Sequence, residues 1–259
     1  MWQCTSFILV ALTLSSQAFA ELAITETAAP VVSNKRIKVG FVDFPPYEYL
    51  NEKKEPDGIF IEIIRKIAKQ ANYEAEYFNL PIARLYLYLQ EGKIDLWPGL
   101  KSVPALQGYV LESQSSPMTV NLSLFYVNPE LKFTGFENLK KERLILVNGY
   151  TYGGLLYQLT DKSAGYDISF TPGSQSGLQM LTKGRGDFFL DYLEPINMEL
   201  KKTPIPELKH YPLKKREGSF IISLKTDNAQ HLLSDLEESY RTLVNTGEIV
   251  PHSYDLLTP

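Results

Sequence analysis

Apolar and polar positions along the chain alternate between short apolar runs and amphipathic stretches. Residues 37–41 form the first run, and Pro45 and Pro46 end it, because proline fixes φ and offers no N–H to a sheet. After a turn at Pro56, Asp57 and Gly58, apolar residues recur at 60, 63, 64, 67, 68 and 71. They mark one helix face, with Glu62, Arg65, Lys66, Lys69 and Gln70 on the other. A strand over 74–78 follows, then a helix over 82–91 opened by Pro81 and closed by Gly92, then a strand over 94–97 broken by Pro98 and Gly99. Further strands are predicted over 124–127, 144–147, 167–170 and 188–190, with a helix over 155–159 and another capped by Ser174 and running to Thr182. A last strand starts at Ser219. Asn228 then caps a long helix whose apolar side carries Leu232, Leu233, Leu236, Tyr240, Leu243 and Val244, ended by Gly247. Strands alternating with helices predict an α/β protein.

One motif occurs twice. Leu89, Gly92, Lys93 and Asp95 have the same spacing as Leu181, Gly184, Arg185 and Asp187, each a helix end, a glycine cap and a strand start. Any α/β chain can show one such junction. Two at equivalent places in sections of similar size predict two α/β lobes of related construction. In the second section, Gly149, Gly153 and Gly154 bracket Tyr150, Thr151 and Tyr152 just before a helix. A turn of that kind presents backbone N–H groups to an anion, and a plain strand-to-helix connection is the other reading.

Composition narrows the class. The chain has 259 residues, 44% hydrophobic and 22% charged, enough for one large or two modest domains and unlike disordered or collagen-like sequences. A net charge of −4 without a concentrated basic patch argues against nucleic acid as a partner. Residues 7–14 are apolar and lead through Ser15, Ser16 and Gln17 to Ala18, Phe19 and Ala20, the outline of a secretion signal over residues 1–20 cleaved after Ala20. The segment before the run has no Lys or Arg, and a buried N-terminal strand or helix is the alternative. Cys4 is the single cysteine and precedes the run, so neither a disulfide nor a lipid-anchor cysteine after the run is expected. No later stretch reaches the roughly 18 apolar residues of a spanning helix. The expectation is an exported, periplasmic, monomeric product with a flexible leader over 21–35.

Catalytic chemistry has little support. His210, His231 and His252 are the three histidines, each in a setting that reads as surface or tail, so no histidine metal site or Ser-His-Asp set is expected. Neither a phosphate-binding Gly-Lys-Ser/Thr loop nor a dinucleotide fingerprint is present. No catalytic residue, metal or cofactor is expected.

Taken together, Val39 and Gly40 leading to Pro46 and Tyr47, Asp57 and Gly58 with Glu62 downstream, the two copies of the repeat, and Thr246 and Gly247 near the end resemble a known family. The chain is similar to the bacterial extracellular solute-binding proteins of family three, the periplasmic type that includes receptors for polar amino acids, over about residues 38–257. The resemblance implies a two-lobed, periplasmic-binding-protein-like (type II) clamshell with a discontinuous first lobe. Residues 36–118 and 219–259 would form lobe one and 123–216 lobe two, with crossings near 117–122 and 214–219. Ligand would enter the cleft and draw the lobes together by hinge closure.

Residue by residue, the resemblance puts Phe44 and Tyr47 in the cleft, where core packing is the other reading. Trp97 and Lys101 follow the strand that offers lobe-one groups, against a packed Trp and a solvated Lys. Arg84 lies near the cleft mouth or is an exposed helix arginine. Tyr150 and Thr151 match the turn that holds an anionic end of the ligand. Asp191 resembles the acid that pairs with a ligand amine, and because the spacing from Asp187 is one residue short, Tyr192 is the alternative. The resemblance also shows a departure. Where amino-acid receptors carry Thr-Pro-x-Arg, with the arginine on the α-carboxylate, this chain has Val103, Pro104, Ala105 and Leu106. Leucine makes no charged fork, so a standard α-amino acid would need Arg84 or Lys101 as a substitute.

The leading expectation is a non-enzymatic receptor for a small polar or aromatic solute, serving a membrane ABC transporter permease or a sensor protein. An exported dehydratase or lyase acting through Glu48 or Asp191 is the alternative from another class, and an accessory domain without ligand is the third.

Overall fold

The computed structural model describes residues 1–2 and 35–251. The expected signal segment with its cleavage point at Ala20, nearly all of the leader, Cys4 and His252 lie outside the described residues.

Among the described residues eleven strands and six α-helices follow in order: β1 (Lys35–Phe41), β2 (Tyr49–Leu50), β3 (Pro56–Asp57), α1 (Ile59–Gln70), β4 (Tyr73–Asn79), α2 (Ile82–Glu91), β5 (Leu96–Leu100), β6 (Val110–Glu112) and β7 (Thr119–Tyr126). Then come β8 (Arg143–Val147), α3 (Leu155–Thr160), β9 (Asp167–Thr171), α4 (Ser174–Thr182), β10 (Phe188–Tyr192), α5 (Leu193–Lys202), β11 (Lys209–Ser223) and α6 (Ala229–Asn245). The apolar face read from the sequence of α1 is the face that packs: Phe60, Ile61, Ile63, Ile64, Ile67 and Ala68 are buried. Each large member contributes about 1.5–3 kcal/mol relative to exposure.

The sheet runs β4-β1-β5-β11-β7-β10-β8-β9, with β6 also on β11. Its two ends repeat one plan. β1 pairs in parallel with β4 and β5, and β8 pairs in parallel with β9 and β10. Each end is thus a β-α-β-α-β unit with its first strand in the middle. The sequence repeat marks the same joint in both. Gly92 (φ 75°) and Gly184 (φ 64°) take the left-handed conformation that closes the helix. One turn later the Asp95 N–H donates to the Lys38 carbonyl at 2.9 Å while the Asp95 carboxylate accepts from the Lys38 N–H at 2.8 Å. Asp187 does the same to Arg143, at 2.8 and 2.7 Å. The aspartate therefore pins the last strand of each unit to the first.

β11 joins the halves. Residues 209–217 pair antiparallel with β7, and residues 218–222 pair antiparallel with β5. The crossings expected near 117–122 and 214–219 thus run side by side, with Val120 opposite Arg216 and Thr119 opposite Glu217. The strand expected from Ser219 begins at Lys209. Its early part was hidden because Pro212 and a run of lysines interrupt the apolar pattern, and the register shifts between Pro212 and Lys214. α6 packs on α1 and β11, burying Leu232, Leu233, Leu236, Tyr240 and Leu243.

Two local expectations are corrected. Pro98 and Gly99 lie inside β5 instead of ending the strand. The Lys101 N–H donates to the Glu217 carbonyl, so in the antiparallel alternation Pro98 points its missing N–H away from β11, on the side where β1 pairs only at Leu96. Gly99 is required there because the Trp97 indole folds over it and a Cβ would overlap the ring. Ser174 does not cap α4. Gly173 holds that position, and the Ser174 hydroxyl donates to Asp191 Oδ2 at 2.6 Å.

Candidate functional site

A cavity of about 340 Å³ opens where the carboxyl ends of the parallel strands of both halves meet. Crevices at such strand ends are where open α/β sheets place ligands. From the first half it takes the turn after β1 (Val42, Asp43, Phe44, Glu48), the start of α2 with Tyr86, and residues 97–100 of β5. The second half supplies Asn148, Gly149, Tyr150, Thr151 and Gly153 from the turn after β8, and Tyr192 from the end of β10. Arg216 comes from the joining strand.

The turn after β1 is tight. The Phe44 N–H donates to the Glu48 carbonyl at 2.7 Å, and the Tyr47 and Glu48 N–H groups both donate to the Phe44 carbonyl. It fixes one ring and one acid at the cavity. Phe44 reaches across to the other half, its centroid 5.4 Å from Tyr150 and 5.1 Å from Tyr192, both edge-on. These are favourable aromatic geometries. Tyr86 lies 5.5 Å from the Trp97 ring, and burial first raises its phenol pKa to about 12, with Thr151 as a hydrogen-bonding neighbour and the Arg216 charge pulling the other way.

Two buried ionisable residues decide the electrostatics. Glu48 is 2% exposed. Its Oε1 accepts from the Trp97 indole N–H at 3.3 Å, and its Oε2 has no hydrogen-bond partner among the described residues. Burial pushes its pKa well above the usual carboxylate value, against the pull of Trp97 and the Val42 N–H. Arg216 is 7% exposed, donates from Nη2 to the Lys101 carbonyl at 2.7 Å, and forms no salt bridge among the described residues. Gly153 sits directly on it: a Cβ there would overlap the guanidinium.

Of the residues expected from the sequence, Phe44, Trp97, Tyr150, Thr151 and Tyr192 line the cavity. Four do not. Tyr47 is fully buried behind Phe44, 5.6 Å from its ring, and its hydroxyl donates to the Thr119 carbonyl at 3.1 Å. Arg84 is exposed on α2. The Lys101 side chain turns away to the Gln114 carbonyl, Ser116 Oγ and Glu217. Asp191 is fully buried beneath Tyr192, its carboxylate taken up by the Ser174 hydroxyl and the Tyr192 N–H at 2.7 Å. Its pKa is raised to about 7 by burial, against those two hydrogen bonds and with the Glu194 charge adding to the rise. Leu106 packs with Leu85, Leu89 and Trp97 in the core.

Arg216 and Tyr86 were not anticipated, and Glu48 was considered only as an acid of the alternative enzyme. Arg216 did carry a signal, being the one arginine within a predicted crossing segment, but the neighbouring lysines read as solvated strand. Among the described residues no group of three or more His, Cys, Asp or Glu could hold a metal. No helix among them is long and apolar enough to cross a membrane.

The sequence profile of the bacterial extracellular solute-binding proteins, family 3, matches residues 37–249. The chain belongs to this family. Solved structures agree in fold. A histidine kinase sensor domain with similarity to periplasmic binding proteins is 20% identical, with a TM-score of 0.69 over 83% of this chain and 93% of that one. An ancestral arginine-binding protein bound to arginine is 18% identical, with a TM-score of 0.65 over 82% of this chain and 93% of the other. The substrate-binding protein of an amino acid ABC transporter is 19% identical, with a TM-score of 0.63 over 83% and 95%. No curated protein sequence gives a significant match. The paired β-α-β-α-β plan of the sheet fits the two-lobed type II fold of these ligand-binding proteins.

Proposed function

We propose that this solute-binding protein works outside the inner membrane, in the periplasm, closing its lobes on a small polar or aromatic solute for an ABC-type transporter or a sensor. The observation that carries the reading is the ring contact between Phe44 of one lobe and Tyr150 and Tyr192 of the other, at the wall of a cavity to which both lobes contribute. A solute in that cavity touches both lobes at once, and only such a ligand favours the closed arrangement over an open one. We divide the chain at the paired crossings of β7 and β11, with lobe one before and after them and lobe two between. Export rests on the family's extracellular character and on the apolar segment over residues 7–14. The fold serves both uses, since a sensor domain and a transporter's binding protein share it.

A melting screen against amino acids, amines, organic acids and sugars tests the proposal. A solute at about one hundred times its Kd adds roughly 2.7 kcal/mol of stability, a clear shift. Stabilisation without turnover of the compound is the expected result. Turnover would move the protein to the enzyme class, and silence across all four classes would sink the receptor reading.

A further inference from the structure

Arg216 and Glu48 raise a question that the family's fold does not answer. Each is more than nine-tenths buried, each lines the cavity, and each lacks a charged partner among the described residues. An isolated guanidinium held out of water is costly unless an anion joins it. The side chain is held from both lobes, by the lobe-one Lys101 carbonyl and by Gly153 of lobe two. Nη2 is committed to Lys101 and Nη1 lies against Gly153, but a guanidinium carries five N–H donors, so the group keeps donors for a carboxylate. Glu48 Oε2 is a buried acceptor without a hydrogen-bond partner among the described residues.

Resting on the receptor reading above, we propose that the ligand is a compact organic acid whose carboxylate is bound by Arg216 of the crossing strand and whose ammonium or hydroxyl donates to Glu48. This puts the anion on the strand that joins the lobes, away from Leu106, which packs in the core. The donor meets Glu48 in lobe one and not Asp191, whose oxygens are taken up by Ser174 and Tyr192. Charge count favours a monoanion. Among the described residues Arg216 is the one Lys, Arg or His lining the cavity, so a single positive charge faces the ligand and one carboxylate matches it. Because the guanidinium is gripped by both lobes, an anion on it also ties ligand charge to closure.

The test uses short amino and hydroxy acids, each paired with its primary amide and with the corresponding acid lacking the amino or hydroxyl group, in calorimetric titrations of the full chain. Expected are binding of the acids, at least a roughly 100-fold loss for the amides, and at least a roughly tenfold loss for acids without the donor. Arg216→Gln should abolish the preference for acid over amide and Arg216→Lys should restore part of it, since the charge returns without the fork. Glu48→Gln should narrow the gap between acids with and without the donor. If Arg216→Gln does not fold, the acid-amide comparison on the unaltered protein decides alone. Equal binding of acids and amides, or an Arg216→Gln protein that still prefers acids, would overturn the carboxylate assignment while leaving a receptor. Equal binding with and without the donor overturns the Glu48 assignment. Failure of every acid while neutral solutes stabilise the protein overturns this inference alone, and failure of all solutes overturns the receptor reading with it.

Discussion

At the level of single residues, the question is why two neighbours with similar chemistry have opposite fates. Phe44 and Tyr47 sit three residues apart in one turn, yet Phe44 walls the cavity and Tyr47 is sealed behind it with its hydroxyl on the Thr119 carbonyl. The sequence offers two aromatics beside two prolines and no way to tell them apart, because their order in depth is set by β7, distant in the chain. Tyr47→Phe should therefore cost about 1 kcal/mol of stability in urea unfolding and leave solute affinity within about threefold. A large affinity loss with intact stability would put the hydroxyl in the binding site instead. Asp191 offers a second case. Burial raises its pKa from 3.8 to about 7, so the native state holds this proton more tightly than the unfolded chain does. Native stability from this group is then present below the unfolded value and is lost as pH rises through the window from 3.8 to about 7. The stability of Asp191→Asn relative to the unaltered protein should accordingly rise between about pH 4 and about pH 8. A flat difference across that window would mean that Asp191 is ionised throughout.

At the level of elements, the sequence was most legible where periodicity and capping agree. The apolar face of α1, the closing glycine of α2 and the repeated Gly-x-x-Asp joint could all be read because each depends on residues within one or two turns of each other. What escaped depends on partners far along the chain. Pro98 and Gly99 look like a break until β11 covers one edge of β5, and residues 209–218 look like loop until β7 lies beside them. The repeat itself predicts an asymmetry. Gly92 and Gly184 both have positive φ, so alanine at either costs about 1–2 kcal/mol of backbone strain. A Cβ on Gly92 would also lie 2.7 Å from Lys225 Cβ, whereas at Gly184 nothing is within 4 Å. Gly92→Ala should thus lower the melting temperature more than Gly184→Ala. Equal shifts would show that residues 223–225 yield without cost.

At the level of the whole molecule, two β-α-β-α-β halves built on one plan meet along paired strands, and the cavity is a property of their meeting. Neither half's sequence could specify it alone, which is why Arg216, packed between Lys101 and Gly153 of different halves, could not be read beforehand. Ligand that bridges the lobes should make the molecule more compact, so small-angle scattering should give a smaller radius of gyration with a stabilising solute than without. The most direct test of a shared cavity is tryptophan emission. The chain has two tryptophans, Trp2 and Trp97, and Trp97 lines the cavity, so Trp2→Phe leaves one indole at the site. Titrating that variant with the most stabilising solute should give a saturable change in emission whose midpoint matches the calorimetric Kd and weakens about tenfold or more in Phe44→Ala and in Tyr150→Ala. Unchanged Trp97 emission, together with undiminished affinity in both of those variants, would place the solute elsewhere and contradict the account.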